Sequence, residues 1–391
     1  MSGQVSGLLR SYEGAYPYTH CRDVTRSLKP TEPVYLFSPS SLRQRALSFQ
    51  QSFPGIVSYA LKANPENRVV DTLVEQGIRH FDVASIGEVA AVAARHPEAT
   101  LHFNNPVKPY EAIEQSYRQY GVRSFALDEA AEFDKIRRAT GNASDILYSV
   151  RFKLGHGGAS YDFGSKFGCS PYKAAALLRL VAASGARAAL TFHPGSQCTD
   201  PQMYARYLRA AARIAALSGV DLEQVNVGGG FPEYYENTLA PQLQHYFSVI
   251  EQARDTYFNN KPQLMCEPGR GMVASSVSLL ARVIHVRDHG RSLFLNDGVY
   301  GGLQEQSLVD LHLPVKAWRE GQLLLGPSVD CHVFGPTCDP VDRISRQIAV
   351  PAHMKTGDYL EIGLLGAYGS ATCTAFNGFR PALYVDVANG F

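Results

Sequence analysis

The 391-residue sequence predicts an α/β protein in which a (β/α)8 barrel of the TIM type is followed by a C-terminal β domain. Three observations support this fold class. Short apolar runs rich in β-branched and aromatic residues return eight times between residues 57 and 267, turn residues follow them, and alanine-rich helical patterns lie between them. An open doubly wound sheet would alternate in the same way, so the count of eight is what favours the barrel.

The predicted elements follow one another in chain order. The strand-like runs span 57–62, 80–84, 100–104, 124–127, 147–153, 190–193, 224–227 and 263–267. Helical patterns with a polar start, such as "GEVAAVAARH" and "DPQMYARYLRAAARIAALSG", separate the runs and place apolar residues on one face. We therefore expect residues 33–275 to form the barrel.

After about residue 275 the pattern changes to strand-like runs divided by Gly, Pro and Asp, such as "SVSLLARVIHVRD", "GQLLLGPSV" and "DYLEIGLLG". We expect residues 276–391 to form a β-sandwich or β-barrel domain. The early run "PVYLFS" (33–38) is also strand-like and, because it precedes the barrel, we expect it to pair with the β domain. The N-terminal segment 1–32 is expected to pack on the same domain.

Composition indicates a small-molecule or protein partner and argues against a nucleic acid or a membrane. Acidic and basic residues nearly cancel at a net charge of +1, which gives no long-range field for a polyanion. No window offers about 18 uninterrupted apolar residues, and the N-terminus lacks a secretory pattern, so we expect a cytoplasmic protein. The seven cysteines are scattered without C-x-x-C spacing, which predicts free thiols and no metal site.

Residues with useful chemistry stand at the carboxyl ends of the predicted strands, where barrels of this type build their pockets. Strand one ends in Lys62, strand six in His193 and strand eight in Glu267. Close to strand ends also lie Asp82, Glu88, Arg151, Gly228, Gly229, Gly230 and Arg270. Each residue alone also fits a structural role, with Lys62 as a surface lysine, Glu267 as a buried salt-bridge partner and His193 as a core histidine.

Two glycine-rich turns indicate a phosphorylated cofactor. "VGGGF" (227–231) and "EPGRG" (267–271) follow neighbouring strands, and such turns expose backbone N–H groups that bind anions. A strand-end lysine beside a phosphate site suggests pyridoxal 5'-phosphate (PLP), held as a Schiff base on Lys62. Glu267 would then keep the pyridine nitrogen protonated, and His193 would stack on the ring face.

Nine motifs occur in order along the chain: "YALKAN", "FDVAS", "SKFG", "FHPGSQ", "GGGFP", "EPGR", "NDGVYG", "GPTCDPVD" and "GAYGSATCTAFNGF". Together they resemble the fold-type III PLP-dependent decarboxylases, the alanine-racemase-like barrel family that includes ornithine, lysine, arginine and diaminopimelate decarboxylases. The resemblance covers nearly the whole chain from about residue 33. Any single motif is weak, but their order and spacing make the match specific.

The resemblance implies a role for each of these positions. Lys62 is the Schiff-base lysine, His193 stacks on the cofactor and Glu267 faces the pyridine nitrogen. The ring side is supported by Asp82, Glu88 and Arg151, and the phosphate is bound by Ser196, Gly230, Gly269, Arg270 and Tyr368, with Gly228 and Gly229 in the same turn. Alanine racemases place an arginine at the pyridine nitrogen, so the glutamate of "EPGR" favours decarboxylation.

The resemblance also implies a homodimer whose active sites lie at the subunit interface. The motif "GPTCDPVD" of the second subunit would supply Cys338, which protonates the carbanion left by CO2 loss, and Asp339, which meets the distal amine of the substrate. Lys166 of "SKFG" resembles the residue that pairs with Asp342 across that interface. An inert buried thiol is the structural alternative for Cys338.

The choice of substrate depends on the C-terminal motifs. Phe376 before "NGF" and the motif "CDPVD" resemble the ornithine-type branch, and we place Tyr300 of "NDGVYG" among the substrate residues. The stretch 303–314 departs from the family pattern, because Val309-Asp310 stands where ornithine decarboxylases usually carry Tyr-Asp. Glu305 or Asp310 then remains to serve as a second acid.

The expected activity is decarboxylation of L-ornithine, or lysine, to a diamine and CO2, as in polyamine biosynthesis. The altered stretch leaves a second hypothesis open, a conjugated or carrier-attached amino acid of siderophore or antibiotic synthesis as the substrate. A third hypothesis is a catalytically silent regulator that binds decarboxylase subunits. The presence of Lys62, His193, Glu267, Cys338 and Tyr368 argues against it.

Overall fold

Eight parallel strands close into a barrel, as the sequence predicts. The computed structural model describes residues 18–155, 166–381 and 383–391. After β1 (Val34–Phe37), strands β2 to β9 span Gly55–Ala60, His80–Val83, Thr100–Phe103, Ser124–Leu127, Leu147–Arg151, Arg187–Thr191, Gln224–Asn226 and Gln263–Cys266. Neighbouring strands pair in chain order, and β9 returns to β2 and closes the barrel.

Helices follow the barrel strands and form its outer layer. They span Asn67–Glu75, Ile86–Arg95, Tyr110–Tyr120, Ala130–Ala139, Pro171–Ala183, Gln202–Ser218, Leu243–Tyr257 and the short Arg270–Val273, while Pro39–Ser52 precedes β2. Serine caps start several of them, because the hydroxyls of Ser38, Ser85 and Ser170 accept hydrogen bonds from backbone N–H groups of the first turn. The α/β alternation read from the sequence is therefore confirmed.

The ends of the strands differ slightly from the predicted runs. β2 ends at Ala60, and Lys62 lies in the single 3-10 turn Leu61–Ala63 that follows it. The turn is closed by a 3.1 Å hydrogen bond from Asn64 N–H to the carbonyl of Leu61. β7 ends at Thr191, so His193 stands two residues past its strand. Both residues are thus carried by loops at the mouth of the barrel.

The C-terminal strands form a mixed sheet, which confirms the predicted β domain. They are β10 (Val277–Arg287), β11 (Ser292–Leu295), β12 (Val315–Arg319), β13 (Gln322–Leu323), β14 (Ser328–Phe334), β15 (Ile348–Pro351), β16 (Tyr359–Ile362) and β17 (Leu383–Asp386). The order is β13-β12-β16-β10-β11-β14-β15, and β1 pairs with β10 and β17. The strand predicted at 33–38 therefore belongs to this sheet.

The described part of the N-terminal segment packs on the same sheet. Tyr18 forms a bridge with Val387, and Cys21 and Val24 lie in an apolar cluster with residues of β1, β10 and β17. The rest of the segment expected at 1–32, residues 1–17, lies outside the described residues. This packing removes apolar area of both segments from water.

A loop of the β domain reaches the mouth of the barrel between β16 and β17. The amide of Asn64 donates to the carbonyl of Gly366 at 2.9 Å, and Tyr368 N–H donates to the carbonyl of Ala63 at 2.8 Å. A Cβ at Gly366 would lie 1.8 Å from the carbonyl oxygen of Val273, so only glycine fits there. These contacts fix Tyr368 beside the turn that carries Lys62.

The cysteines are free thiols, as their spacing predicts. Cys338 is exposed and Cys373 is half-buried, while Cys21, Cys169, Cys198, Cys266 and Cys331 are buried. Over the described ranges, no group of three or more His, Cys, Asp or Glu residues is arranged to hold a metal ion. In the same part of the chain, no helix has the length and apolar character needed to cross a membrane.

Candidate active site

A pocket opens at the carboxyl ends of the barrel strands. Its walls come from several strand ends and from the loop of the β domain that carries Tyr368. The lining residues are Ala60, Lys62, His193, Ser196, Gly229, Gly230, Phe231, Glu267, Gly269, Arg270 and Tyr368. The structure thus brings most of the cofactor residues proposed from the sequence into one cavity.

Lys62 places its amine in the pocket next to a buried carboxylate. Its Nζ lies 3.8 Å from Oδ2 of Asp82, which is almost fully buried. Burial disfavours the ammonium, but the negative charge of Asp82, with smaller contributions from Tyr368 and Glu267, raises the pKa of Lys62. Burial also raises the pKa of Asp82, against the opposing effect of Lys62. Lys62 therefore supplies the nucleophilic nitrogen, and the carboxylate of Asp82 is the anion that orients it.

Glu267 is held by two amides that the sequence analysis did not identify. Asn104 Nδ2 and Asn226 Nδ2 each donate to Oε1 of Glu267 at 2.5 Å. Both bonds use the same oxygen, so Oε2 is the one left to meet a donor in the pocket. Burial and then the charge of Asp82 raise the pKa of Glu267 to about 7. The carboxyl can therefore accept a proton from a ligand at neutral pH.

His193 is fixed as a neutral imidazole. Its Nδ1 accepts a 3.0 Å hydrogen bond from Gly195 N–H, so the neutral ring carries its proton on Nε2. Burial, followed by the positive charges of Lys62 and Arg151, lowers the pKa of His193 well below its usual value. An uncharged flat ring at this wall can pack against another flat ring.

The glycine turn after β8 forms a cradle that side chains would fill. Gly228 and Gly230 have φ values of 70° and 88°, which favour glycine. A Cβ at Gly229 would lie 2.6 Å from the carbonyl oxygen of Glu267 and 3.2 Å from Nε2 of His193. Backbone in such turns approaches a ligand closely and offers N–H donors to an anion.

The residues predicted to support the ring side lie around the Lys62 wall. Glu88 is half-buried, and its Oε2 accepts a 2.6 Å hydrogen bond from Ala84 N–H. Burial raises the pKa of Glu88, in opposition to that bond. Arg151 stands over the ring of Phe167 at 5.5 Å from its centroid. Neither Glu88 nor Arg151 is among the residues that line the pocket.

Arg270 lines the pocket, but its guanidinium is already paired within the chain. Nη1 donates to Oε2 of Glu305 at 2.7 Å and to the hydroxyl of Tyr235 at 2.9 Å, and Nη2 donates to Oε1 of Glu305. The sequence analysis considered Glu305 as a second acid for the substrate amine. In the structure its carboxylate is already paired with Arg270. The side chain of Asp310 is 78% exposed and lies 3.4 Å from His312, outside the pocket lining.

Four predicted residues form a second cluster away from the pocket lining. Asp339 Oδ2 accepts a 2.5 Å hydrogen bond from the hydroxyl of Tyr300, whose ring centroid lies 4.6 Å from that of Phe376. Cys338 is exposed next to them, and its N–H donates to Asn377. The single chain therefore does not bring Cys338 or Asp339 to Lys62.

Asp342 has an internal role that the sequence did not indicate. It is 2% exposed, and its carboxylate accepts hydrogen bonds from Val299 N–H at 2.9 Å and from the N–H and hydroxyl of Thr337 at 3.0 and 2.7 Å. The bond from Val299 joins the "NDGVYG" loop to the "GPTCDPVD" loop, to which Thr337 and Asp342 both belong. Lys166 lies with its Nζ 5.0 Å from the ring centroid of Phe167. Pairing of Lys166 with Asp342 across an interface stays a prediction.

The donor set of the pocket fits PLP. An amine can bind the aldehyde carbon, a carboxyl with one unused oxygen can face the ring nitrogen, and a glycine cradle can receive the phosphate. Arg270 Nε adds a buried donor without a partner among the described residues. The fold and the pocket together define a TIM-barrel enzyme that binds PLP.

Comparison with known proteins identifies the family. The model of the pyridoxal-binding domain of pyridoxal-dependent decarboxylases matches residues 40–274. The lysine/ornithine decarboxylase of Selenomonas ruminantium is 31% identical over 330 residues, which cover 83% of this chain and 81% of that protein. The chain therefore belongs to the fold-type III PLP-dependent amino-acid decarboxylases, as the motif resemblance predicted.

Two further relatives bear on its activity. The structure of lysine/ornithine decarboxylase from Vibrio vulnificus complexed with putrescine is 28% identical, has a TM-score of 0.80 and covers 93% of this chain and 96% of that one. Antizyme inhibitor 2 of Xenopus laevis is 29% identical over 360 residues, 86% of this chain and 77% of that protein. Both align over most of their own length.

Proposed function

We propose that this protein removes CO2 from L-ornithine or L-lysine and releases the corresponding diamine. The observation that carries this choice is the environment of Asp339. A hydrogen bond from Tyr300 lowers the pKa of Asp339, so its carboxylate is ionised at neutral pH. The adjacent ring of Phe376 offers an apolar face. A carboxylate beside an aromatic ring suits an ammonium at the end of a methylene chain.

The pocket residues would hold the cofactor from three sides. Lys62 would bind the aldehyde carbon, Glu267 would accept a hydrogen bond from the ring nitrogen, and His193 would pack on the ring. The cradle of Gly229 and Gly230 would take the phosphate, with help from Arg270. When bound, PLP supplies an electron sink for the pair of electrons released with CO2.

We propose that two copies of the chain form a head-to-tail homodimer with two complete sites. Cys338 and Asp339 lie outside the pocket of their own chain, while the pocket lining offers no acid besides Glu267. A second copy that presents the loop 335–342 at the pocket would supply both groups. Cys338 of the partner subunit would return a proton to the α-carbon after CO2 loss.

Mixing two inactive variants tests this arrangement. Lys62→Ala and Cys338→Ala damage different halves of a shared site, so a mixed dimer keeps one intact site. Random exchange of subunits predicts recovery of about a quarter of the wild-type activity, because half of the dimers are mixed and each has one site. Lack of recovery after verified subunit exchange would contradict a shared site.

A substrate panel tests the proposed chemistry. CO2 release would be measured with the PLP-loaded enzyme and free L-ornithine, L-lysine, L-arginine and meso-diaminopimelate. We expect turnover of ornithine or lysine above the others. Asp339→Asn should raise KM for both while leaving PLP binding unchanged, because only the distal ammonium loses its partner. Absence of turnover with every free basic amino acid would refute the proposal.

One observation favours a second candidate substrate. Glu305 is paired with Arg270 and Asp310 is exposed, so a second acid for a free distal amine is missing from the described pocket lining. A conjugated or carrier-attached amino acid, as in siderophore or antibiotic synthesis, would present a longer side chain with fewer charges. This candidate requires a higher kcat/KM for such a conjugate than for free ornithine.

The relation to antizyme inhibitor 2 provides the argument for a silent regulator. A silent regulator, as the third hypothesis has it, would bind decarboxylase subunits without catalysis. Lys62, Glu267 and the glycine cradle are nevertheless all present here. An absorbance band of covalently bound PLP, together with turnover of any amino acid, would exclude this candidate.

A place in polyamine biosynthesis and a cytoplasmic location belong to the same proposal. The seven free thiols suit a reducing compartment. Diamines are the smallest polyamines, so the product would enter that pool directly. Deletion of the gene should lower the cellular diamine content, and an unchanged content would count against this assignment.

A further inference from the structure

The ion pair between Arg270 and Glu305 stands at the anion end of the pocket. Arg270 is 6% exposed and lines the cavity beside Gly229, Gly230 and Gly269. Glu305 binds both terminal nitrogens of its guanidinium, and Tyr235 takes a further bond from Nη1. Two N–H groups are left: the one on Nε, which is buried without a hydrogen-bond partner in the described part of the chain, and the second one on Nη2.

A carboxylate and a phosphate compete for the same groups of an arginine. Both anions bind the planar guanidinium through two parallel N–H donors. In this pair Glu305 already holds that fork and neutralises its charge, with its own side chain only 14% exposed. A phosphate that arrives in the cradle therefore meets an arginine whose charge is already neutralised and whose two terminal nitrogens are already engaged. The N–H groups of Nε and of the free side of Nη2 are left to bind it.

The segment that carries Glu305 lies outside the strands and helices of the barrel. Glu305 lies in the single 3-10 turn Gln304–Ser307, which belongs to the loop between β11 and β12. The turn is followed by Leu308, which is 71% exposed. It also lies in the stretch 303–314 that departs from the family pattern.

We propose that Glu305 is an internal anion that pairs with Arg270 and competes with the phosphate of PLP for the positive charge of its guanidinium. Glu305 thus lowers the affinity for phosphorylated cofactor and supplies the counter-charge that a buried arginine needs. The inference rests on the proposed role of Arg270 at the phosphate.

The test compares PLP with pyridoxal, which has the same ring and aldehyde but lacks the phosphate. Full-length protein stripped of cofactor would be titrated with each compound, and binding followed by the absorbance of the covalent adduct on Lys62. The variants are Glu305→Gln, which keeps the shape and removes the charge, and Asp310→Asn as the matched control. Asp310 is an exposed carboxylate of the same segment and does not contact Arg270.

We expect Glu305→Gln to lower the Kd for PLP on the order of tenfold, because the phosphate no longer competes with a carboxylate. The Kd for pyridoxal should change by less than about twofold, and Asp310→Asn should change neither. An unchanged or higher Kd for PLP in Glu305→Gln would overturn the proposal. An equal gain for pyridoxal would also overturn it, since the effect would then not involve the phosphate.

Two further measurements separate the possible failures. Arg270→Gln should raise the Kd for PLP far more than that for pyridoxal; if both stay unchanged, the role of Arg270 at the phosphate fails, independently of Glu305. If Glu305→Gln does not fold, Glu305→Asp replaces it, because the shorter carboxylate loses the paired contact but keeps the charge. A lower Kd for PLP in Glu305→Asp supports the competition, and an unchanged or higher value refutes it.

Discussion

Removal of the Asn104 amide should raise the pKa of Glu267 and weaken cofactor binding near neutral pH. Asn104 Nδ2 donates to Oε1 of Glu267 at 2.5 Å, and this bond favours the ionised carboxyl. A hydrogen bond to a charged group contributes about 1.5–3 kcal/mol, and the lower end applies because Asn226 shares the same oxygen. That is about one pKa unit, which moves Glu267 from about 7 to about 8.

The consequence can be worked out for PLP binding, which needs the ionised carboxyl as partner of the ring nitrogen. At pH 7.5 the ionised fraction of Glu267 falls from about three quarters to about one quarter in Asn104→Ala, so the Kd rises about threefold. Above about pH 9 both proteins are ionised and the difference disappears. The free energy of unfolding should change little, because Asn104 Oδ1 is buried without a hydrogen-bond partner among the described residues.

The assay is an absorbance titration of cofactor-free, full-length protein with PLP over this pH range. Asn105→Ala is the matched control, because the amide of Asn105 donates to the carbonyl of Ala84 at 3.4 Å and not to Glu267. A pH-independent loss of affinity in Asn104→Ala, or the same shift in Asn105→Ala, would refute the reasoning.

Three other substitutions have clear expected outcomes. Lys62→Ala should abolish the Schiff base with PLP, so that mass spectrometry after borohydride reduction finds no covalent PLP adduct. A reducible adduct in this variant would rule out Lys62 as the attachment site. Cys338→Ala should lower kcat by about 10²-fold or more, in line with loss of an acid, and leave the Kd for PLP within about twofold, whereas normal product formation would show that the thiol is dispensable. Gly229→Ala should destabilise the protein by about 1–3 kcal/mol, since its Cβ would meet the Glu267 carbonyl at 2.6 Å. Gly87→Ala is its control in urea unfolding, because that Cβ meets nothing closer than 3.7 Å, and equal behaviour of the two variants would contradict the cradle.

The barrel was predictable because its signals are local. Each strand is a short apolar run, each turn has its own residues, and the helices carry serine caps at Ser38, Ser85 and Ser170. The course of β10 was not predictable. Its first half pairs with β1 and β16, and these pairings join segments far apart in sequence. From Val283 onward it pairs with the next strand, β11, with a register shift between Val283 and His285.

The site was predictable to the extent that strand ends reveal it. Lys62, His193 and Glu267 follow three of the barrel strands and meet in one pocket, as a parallel barrel requires. Asn104 and Asn226 were missed although a signal existed, since each is a polar residue at or next to the carboxyl end of a barrel strand. Asn226 lies at the end of β8, and Asn104 directly follows β4.

The pairing of Arg270 with Glu305 had no signal in the sequence. The two residues are 35 positions apart, and their contact depends on how the loop after β11 folds over the mouth of the barrel. The same holds for the buried carboxylate of Asp342, which joins two loops through the hydrogen bond that it accepts from Val299 N–H. Contacts of this kind are set by tertiary structure, so a pattern of residue types cannot reveal them.

The most direct test of the account is a crystal structure of the full chain grown with PLP. The account predicts continuous electron density from Nζ of Lys62 to a ring whose nitrogen lies within about 3 Å of a Glu267 carboxyl oxygen, with the phosphate against Gly229 and Gly230. A ring bound elsewhere, or one whose nitrogen faces away from Glu267, would contradict it.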